Sequence, residues 1–220
     1  MRLLFAFLGF VLLTAAMPAQ KAPPVARTAS GTYVLGSPTA RVKLVEYASY
    51  TCSHCADFST QSQAVLKGRM IASGSTSLEF RHMIRDRLDL AAAVLARCTG
   101  PRGFFPTSAA IFAAQPVWLK RGIEFQEVNA ARVGLYPRPA QLRAYADGAG
   151  LTDLVKARGL SSAAIDACFA DGAEVDRILA ITAAAPAEVD STPSFFINGK
   201  IVPHGGWAQL EPALRTAGAR

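Results

Sequence analysis

The order of apolar and polar positions predicts strands and one helix in the first part of the chain. Strands are expected over residues 32–35, 42–47 and 77–83, because each is short, rich in β-branched or aromatic residues and alternating in polarity. A helix is expected between Cys52 and Gly74, where apolar residues recur at helical spacings. The first part therefore has the order β-β-α-β.

The middle of the chain changes to helical periodicity and shows no strand alternation. Helices are expected over residues 88–98, 107–121, 137–148 and 175–185, with a short one from Ser161. The pattern predicts an all-helical insertion at residues 86–188 that interrupts an α/β unit.

The last part returns to strands. Asn198-Gly199 separates the apolar runs 194–197 and 200–202, which is a strong signal for a β-hairpin, and residues 207–215 predict a closing helix. Residues 32–85 and 189–220 are therefore expected to form one α/β domain around the helical insertion.

The N-terminus has the features of an export signal. Arg2 precedes an uncharged apolar run at residues 3–16, and small residues follow, so we expect a signal peptide at 1–19, with cleavage after Ala16 as the alternative. An uncleaved membrane anchor is less favoured, because a run of about 14 residues is short against the ~20 that span a bilayer. Residues 20–31 are expected to be a flexible leader, and the compartment to be the oxidising periplasm.

Composition and charge restrict the class of protein. The chain has 220 residues, of which 51% are hydrophobic, so it is long enough for one sizeable core. The formal net charge of +7 is scattered along the sequence without a basic run. Nucleic-acid binding is therefore not expected.

The sequence Cys52-Ser53-His54-Cys55 follows a predicted strand and begins a predicted helix. The unpaired N–H groups and the dipole of a helix N-terminus favour a thiolate over a thiol. His54 adds a donor, and Thr51 is a candidate N-cap. We expect a low pKa at Cys52, with Cys55 one turn further on to resolve a mixed disulfide.

A zinc site and an inert disulfide are the alternatives for this pair. Zinc requires two further ligands, and the remaining cysteines and histidines form no second Cys-x-x-Cys or His pair; they are Cys98, Cys168, His82 and His204. An inert disulfide across two residues would be strained and easily reduced. Redox chemistry without a metal is therefore favoured.

The second cysteine pair has no base or resolving thiol nearby in sequence. Four cysteines in an exported chain suggest two disulfides, so Cys98 and Cys168 are expected to form a structural one. Two buried free thiols are the alternative. Such a disulfide would close a loop of about 70 residues, for a stabilisation of ~4 kcal/mol.

Two segments carry a resemblance to a known family. Residues 45–55, which contain the cysteine pair, and residues 192–200, which contain Thr192-Pro193 and the hairpin, resemble the active-site run and the cis-proline strand of DsbA-like proteins. The similarity extends over residues 33–215 and implies a thioredoxin fold with an inserted all-helical domain.

The resemblance also implies residue roles. Cys52 would be the attacked sulfur, Cys55 the resolving one, and His54 would stabilise the Cys52 thiolate. Pro193 would be cis, and the Thr192 backbone would pair with an extended substrate.

Glu46 would lie beneath the site and transfer a proton to or from Cys55, as the resemblance implies. Lys43 and Arg81 are its candidate partners. An exposed carboxylate at a strand edge is the alternative, since a buried unpaired carboxylate is costly.

The expected function is an exported thiol:disulfide oxidoreductase that donates the Cys52–Cys55 disulfide to cysteines of newly secreted proteins. The resemblance implies unfolded or reduced exported proteins as substrates, a membrane quinone-linked, DsbB-like partner for reoxidation, and no bound cofactor. Related isomerases carry an N-terminal dimerisation domain, for which too few residues precede Tyr33 here, so a monomer is expected.

Two alternatives remain open. A reductase or isomerase of the same fold is one, because Ser53 and Thr192 stand where the best-known oxidases have proline and, commonly, valine. A non-enzymatic module that binds peptides or a metal is the other.

Overall fold

A computed structural model describes residues 22–220, so the expected signal peptide lies outside the described residues. The strands are β1 Val25–Arg27, β2 Tyr33–Gly36, β3 Val42–Ala48, β4 Thr76–His82, β5 Ser194–Ile197 and β6 Lys200–Ile201. The helices are α1 Ser53–Ser62, α2 Arg87–Cys98, α3 Gly100–Ala113, α4 Gln115–Val133, α5 Arg138–Ala149, α6 Leu151–Lys156, α7 Ser162–Ala170, α8 Gly172–Ala183 and α9 Trp207–Ala217. A π-helical segment, Gln63–Ile71, continues α1.

The six strands form one mixed sheet in the order β1-β2-β4-β3-β5-β6. β3 and β4 are parallel and connected through α1, whereas the other neighbouring pairs are antiparallel. β3 is therefore an interior strand, with Glu46 opposite Phe80 on one side and Phe195 on the other. The predicted α/β class with an all-helical insertion is confirmed, since α2–α8 all lie between β4 and β5.

Aromatic side chains join the sheet to the helical insertion. Tyr50 lies 4.8 Å from Phe112 and 5.9 Å from Phe80 between ring centroids, and Phe80 lies 5.5 Å from Phe104. All four side chains are buried in one continuous core. Burial of this apolar surface holds α3 against the sheet.

In the middle of the insertion, the helices differ from the predicted ones. One helix was expected over residues 107–121, but α3 begins at Gly100 and α4 begins after Ala114. Pro101 and Pro116 each lie in the first turn of a helix. The N–H groups of this turn have no hydrogen-bond partner within the helix, so the missing N–H of proline breaks no helical hydrogen bond. Within residues 22–220, none of the helices has both the length and the apolar character that a bilayer crossing requires.

The expected flexible leader contains a strand. Val25–Arg27 pairs with β2 in antiparallel fashion, and Arg27 forms an ion pair with Glu174 of α8. The prediction of a flexible leader over residues 20–31 is therefore wrong for this segment. Its Ala- and Pro-rich sequence lacks a strand pattern, and the pairing comes from the exposed edge of β2.

The Asn198-Gly199 turn connects β5 and β6 as predicted. Both residues have positive φ, 51° and 79°, which matches the primed turns that suit a twisted hairpin. The Asn198 side chain accepts the Lys43 N–H at 2.8 Å, so the hairpin is fastened to β3.

Candidate active site

Cys52 occupies the N-cap position of α1 with an extended backbone, φ −91° and ψ 120°. Its carbonyl oxygen accepts the N–H of Ala56 and so begins the helix. The prediction that Thr51 caps the helix is wrong, because its hydroxyl donates to Asp86 at 2.8 Å. The Cys52 side chain therefore lies where a capping oxygen is usually found.

The pKa of Cys52 is lowered to about 5. Hydrogen bonding by the Cys55 thiol is the largest cause. Burial opposes the shift, while the Thr192 side chain and the backbone N–H groups of Cys55 and His54 favour the charged form. Cys52 is therefore a thiolate at neutral pH, which is the reactive form.

Cys55 lies one turn inside α1 and is fully buried. Burial raises the pKa of this thiol far above its usual range, and its hydrogen bond to Cys52 adds to the effect. Both cysteines are free thiols. The pair thus combines one thiolate with one neutral thiol, which suits a nucleophile and a resolving group.

His54 reaches this site in a different way from the one expected. Its backbone N–H contributes to the low pKa of Cys52, whereas its imidazole is exposed and makes no hydrogen bond among the described residues. The ring lines the clefts on both sides of the cysteine pair.

Thr192 and Pro193 lie directly against Cys52. The peptide bond between them is cis, and Cys52 Sγ lies 3.1 Å from the Thr192 carbonyl oxygen, to which it donates a hydrogen bond when it is protonated. Two clefts of about 560 and 540 Å³ meet at Thr192. The first is lined by His54, Asp57, Phe58, Pro193, His204 and Gly206, and the second by Cys52, Met83, Arg85 and Asp190.

Glu46 lies in β3 beneath the cysteines, with only 4% of its surface exposed. Burial raises the pKa of its carboxyl above the ordinary 4.5, Lys67 lowers it in part, and Cys52 adds to the rise. The interpretation as an exposed edge carboxylate is therefore wrong.

The basic group whose charge acts on Glu46 is Lys67, in the π-helical segment, and burial lowers the pKa of this lysine. Neither expected partner is confirmed: Lys43 is exposed, and Arg81 binds Glu79 and Tyr47. Sequence reasoning missed Lys67 because a π-helix shifts side chains away from the 3.6-residue period.

A small cavity lies between α1, α3 and the sheet. It is lined by Glu46, Ser62, Lys67 and Ser108 among others, and its volume of about 20 Å³ is enough for one water molecule. The Oε1 atom of Glu46 and the hydroxyl of Ser62 are buried there without a hydrogen-bond partner in the protein. The cavity therefore has room for a water molecule beside the buried carboxyl and Lys67.

Three side chains of the helical insertion hold the turn that precedes Cys52, and sequence reasoning missed them all as site residues. Asp89 accepts the Tyr50 N–H, Ser108 bonds the Tyr50 hydroxyl, and Gln115 donates to two backbone carbonyls of the turn. All three side chains are buried. A single polar residue in a helical pattern gives no signal for such long-range contacts.

Cys98 and Cys168 are joined by a disulfide between α2 and α7, with their Cα atoms 5.8 Å apart. The bond links residues 70 positions apart within the helical insertion. Among residues 22–220, no three side chains of His, Cys, Asp or Glu are grouped in a way that would hold a metal ion.

A family model described as Thioredoxin matches residues 28–215. A solved structure of a protein-disulfide isomerase from Novosphingobium aromaticivorans is 31% identical, with a TM-score of 0.77 over 83% of this chain and 95% of that one. Alpha-DsbA1 of Wolbachia pipientis is 25% identical, with a TM-score of 0.60 over 84% of this chain and 88% of that one.

Curated relatives point to the same group. A Rickettsia typhi protein named as a protein-disulfide oxidoreductase is 29% identical over 76% of this chain. The match covers 54% of that relative, so the chain spans about half the length of the curated relatives it matches. The family match covers most of the chain and contains both cysteines of the site. The protein therefore belongs to the thioredoxin family and is a DsbA-like member of it, with a thioredoxin fold and an inserted helical region.

Proposed function

We propose that this protein is an exported thiol:disulfide oxidoreductase that donates the Cys52–Cys55 disulfide to cysteines of newly secreted proteins. The observation that carries the proposal is the asymmetry of the pair. The pKa of Cys52 is lowered to about 5, and that of Cys55 is raised. A stabilised Cys52 thiolate favours the reduced form of the pair, so the disulfide readily oxidises other thiols.

The reaction proceeds by two thiol–disulfide exchanges. A substrate thiolate attacks Cys52 Sγ, the Cys52–Cys55 bond breaks, and Cys55 leaves with the electron pair and takes up a proton. A second substrate thiolate attacks the substrate sulfur of the mixed disulfide and releases Cys52 as a thiolate. The substrate is oxidised by two electrons, and the cysteine pair is reduced.

Glu46 is the proposed source of the proton for Cys55. Its raised pKa keeps a fraction of the carboxyl protonated near neutral pH, when an ordinary glutamate has lost its proton. Lys67 and the adjoining cavity provide the path by which the proton is replaced.

Thr192 and Pro193 are the proposed substrate-binding residues. The Thr192 backbone lies two residues before β5, beside Cys52, and an extended peptide that pairs with it would bring its sulfur to the reactive thiol. The clefts on either side would accept the flanking substrate side chains.

The proposal includes the cellular setting. The export signal expected at residues 1–19 directs the protein to the periplasm, where unfolded or reduced exported proteins are its substrates. Each cycle leaves the pair reduced, so a membrane quinone-linked, DsbB-like partner is required to reoxidise it. The protein acts as a monomer.

An isomerase or reductase role is the second candidate. The 31% identical Novosphingobium structure is named as a protein-disulfide isomerase. Thr192 before the cis-proline is also typical of that group, as the family resemblance implies. In these roles an electron donor keeps the pair reduced, which suits a stable disulfide with a low redox potential.

Equilibration of the protein in glutathione buffers separates the two candidates. Free thiols are alkylated and counted by mass across a range of reduced-to-oxidised ratios. An oxidase is expected to have Cys52 and Cys55 reduced even in mildly oxidising buffer. A pair that stays oxidised until the buffer is strongly reducing contradicts the oxidase proposal and favours the second candidate. A Cys52→Ser variant cannot form the Cys52–Cys55 disulfide. Its alkylation pattern therefore shows which of the counted thiols belong to this pair and which belong to Cys98 and Cys168.

A further inference from the structure

The side chain of Gln115 connects the helical insertion to the turn that leads into Cys52. Its Nε2 atom donates to the Tyr50 carbonyl at 2.7 Å and to the Cys52 carbonyl at 2.8 Å. A primary amide has two protons, and both are used here. The residue is 3% exposed and is the first residue of α4.

These two carbonyls belong to the peptide groups that join Tyr50 to Thr51 and Cys52 to Ser53. Because a peptide group is planar, fixing its carbonyl also fixes the direction of the following N–H. The Cys52 carbonyl additionally accepts the Ala56 N–H, which makes it the first link of α1. Gln115 therefore sets the orientation in which the helix starts.

The start of α1 determines the environment of the Cys52 sulfur. The backbone N–H groups of His54 and Cys55, in the first turn, are among the groups that favour its thiolate. N–H groups stabilise an anion only when they point at it. A change in the geometry of the first turn therefore weakens their stabilisation of the Cys52 thiolate.

The start of α4, which carries Gln115, is tied to α3. The indole N–H of Trp118, one turn further along α4, donates to the Ile111 carbonyl of α3 at 2.8 Å and is buried. The junction of α3 and α4 is thereby fixed, and the amide is presented at a defined place.

We infer that Gln115 is a positioning residue for the redox reaction: by holding the Tyr50 and Cys52 carbonyls it keeps the first turn of α1 in the orientation that stabilises the Cys52 thiolate. It does not touch the reacting sulfurs. The inference deepens the proposed function and rests on Cys52 being the reactive thiol.

A Gln115→Met variant tests the inference, because methionine has a similar length and no donor. Gln141 provides a matched control: its amide also donates to two carbonyls, those of Gly134 and Tyr136, in the connection between α4 and α5. Gln141→Met removes the same kind of contact outside the active site.

The measurement is the rate of iodoacetamide alkylation of Cys52 in the reduced protein as a function of pH. We expect the midpoint to rise by about one pH unit in Gln115→Met, a tenfold loss of thiolate at low pH, and to stay unchanged in Gln141→Met. The Cys52–Cys55 disulfide should become less oxidising in glutathione buffer by the same factor.

An unchanged midpoint in a folded Gln115→Met variant overturns the inference, as does an equal shift in Gln141→Met. If Gln115→Met does not fold, Gln115→Asn replaces it: this variant keeps the amide but is one methylene too short to reach both carbonyls, and a smaller shift in the same direction is expected. The oxidase proposal fails separately, when the wild-type disulfide resists reduction in glutathione buffer. That result leaves the comparison of Gln115 with Gln141 standing.

Discussion

The carboxylate of Asp89 accepts the backbone N–H of Tyr50 at 2.8 Å. It also accepts the Ser49 hydroxyl at 2.6 Å and the Arg85 N–H at 3.1 Å. Burial nevertheless raises the pKa of Asp89 to about 7, because the cost of burying the charge exceeds the gain from these donors. A group with such a shift makes the stability of the fold depend on pH.

Asp89→Asn is expected to change that dependence in a defined direction. The folded state holds the proton more tightly than the unfolded state, so the contribution of Asp89 is complete below pH 3.8 and is lost as the pH rises towards 7. The wild-type free energy of unfolding should fall relative to that of the variant by up to about 4 kcal/mol over this range. Urea unfolding of both reduced proteins at several pH values measures the difference.

Other buried groups cancel in this comparison. His82 has a lowered pKa, and its contribution to stability is lost as the pH falls below 6.5, in both proteins alike. Two unfolding curves that remain parallel across the pH range would contradict the assignment to Asp89.

Cys55→Ala is expected to raise the pKa of Cys52. The hydrogen bond from the Cys55 thiol is the largest cause of the low value, and alanine cannot make it. The midpoint of Cys52 alkylation should move from about 5 towards the ordinary value of 9.0. Cys55→Ser serves as the control, because its hydroxyl can still donate, and its midpoint should lie between those of the other two proteins.

Glu46→Gln is expected to slow the first exchange step, in which Cys55 leaves and takes up a proton. Loss of a positioned general acid lowers such a rate by about 10²-fold. The rate at which a cysteine-containing peptide reduces the Cys52–Cys55 disulfide, followed by quenched-flow alkylation at pH 7, measures the effect.

Glu79→Gln is the matched control for that experiment. Glu79 lies opposite Val45 in the sheet, so its side chain is on the other face from that of Glu46. Equal rates for the wild type and Glu46→Gln would show that the Glu46 carboxyl does not supply the proton to Cys55.

Replacement of both Cys98 and Cys168 by alanine is expected to destabilise the protein without changing the redox potential of the other pair. The disulfide spans 70 residues, and its loss should lower the free energy of unfolding by about 4 kcal/mol. Urea unfolding measures the loss. A shift in the glutathione equilibrium of Cys52 and Cys55 would show instead that the two pairs are coupled.

Local patterns were sufficient to predict the cysteine helix and the hairpin. Cys52 follows a strand and precedes a helix, and Asn198-Gly199 separates two apolar runs, so neighbouring residues carry each signal. The β3 strand that contains Glu46 was predicted for the same reason. Its interior place in the sheet required the pairing of β3 with both β4 and β5.

The contacts that shape the site could not be predicted in this way. Asp89 and Gln115 read as ordinary polar positions of helices, and their partners in the turn lie 39 and 65 residues away in sequence. Lys67, whose charge lowers the pKa of Glu46, lies in a π-helical segment, whose period a 3.6-residue pattern does not describe. These placements depend on tertiary structure.

The hydrogen bonds that fix Tyr50 have a consequence for the order of events during folding. Its N–H, hydroxyl and carbonyl are bonded by residues 39, 58 and 65 positions further along the chain. The turn before Cys52 cannot complete these bonds until α2, α3 and α4 have been synthesised and have docked. A growing chain thus carries two ordinary thiols, and their special reactivity arises only as the domain reaches its final shape. Folding of the domain and activation of the Cys52 sulfur are therefore expected to be one event.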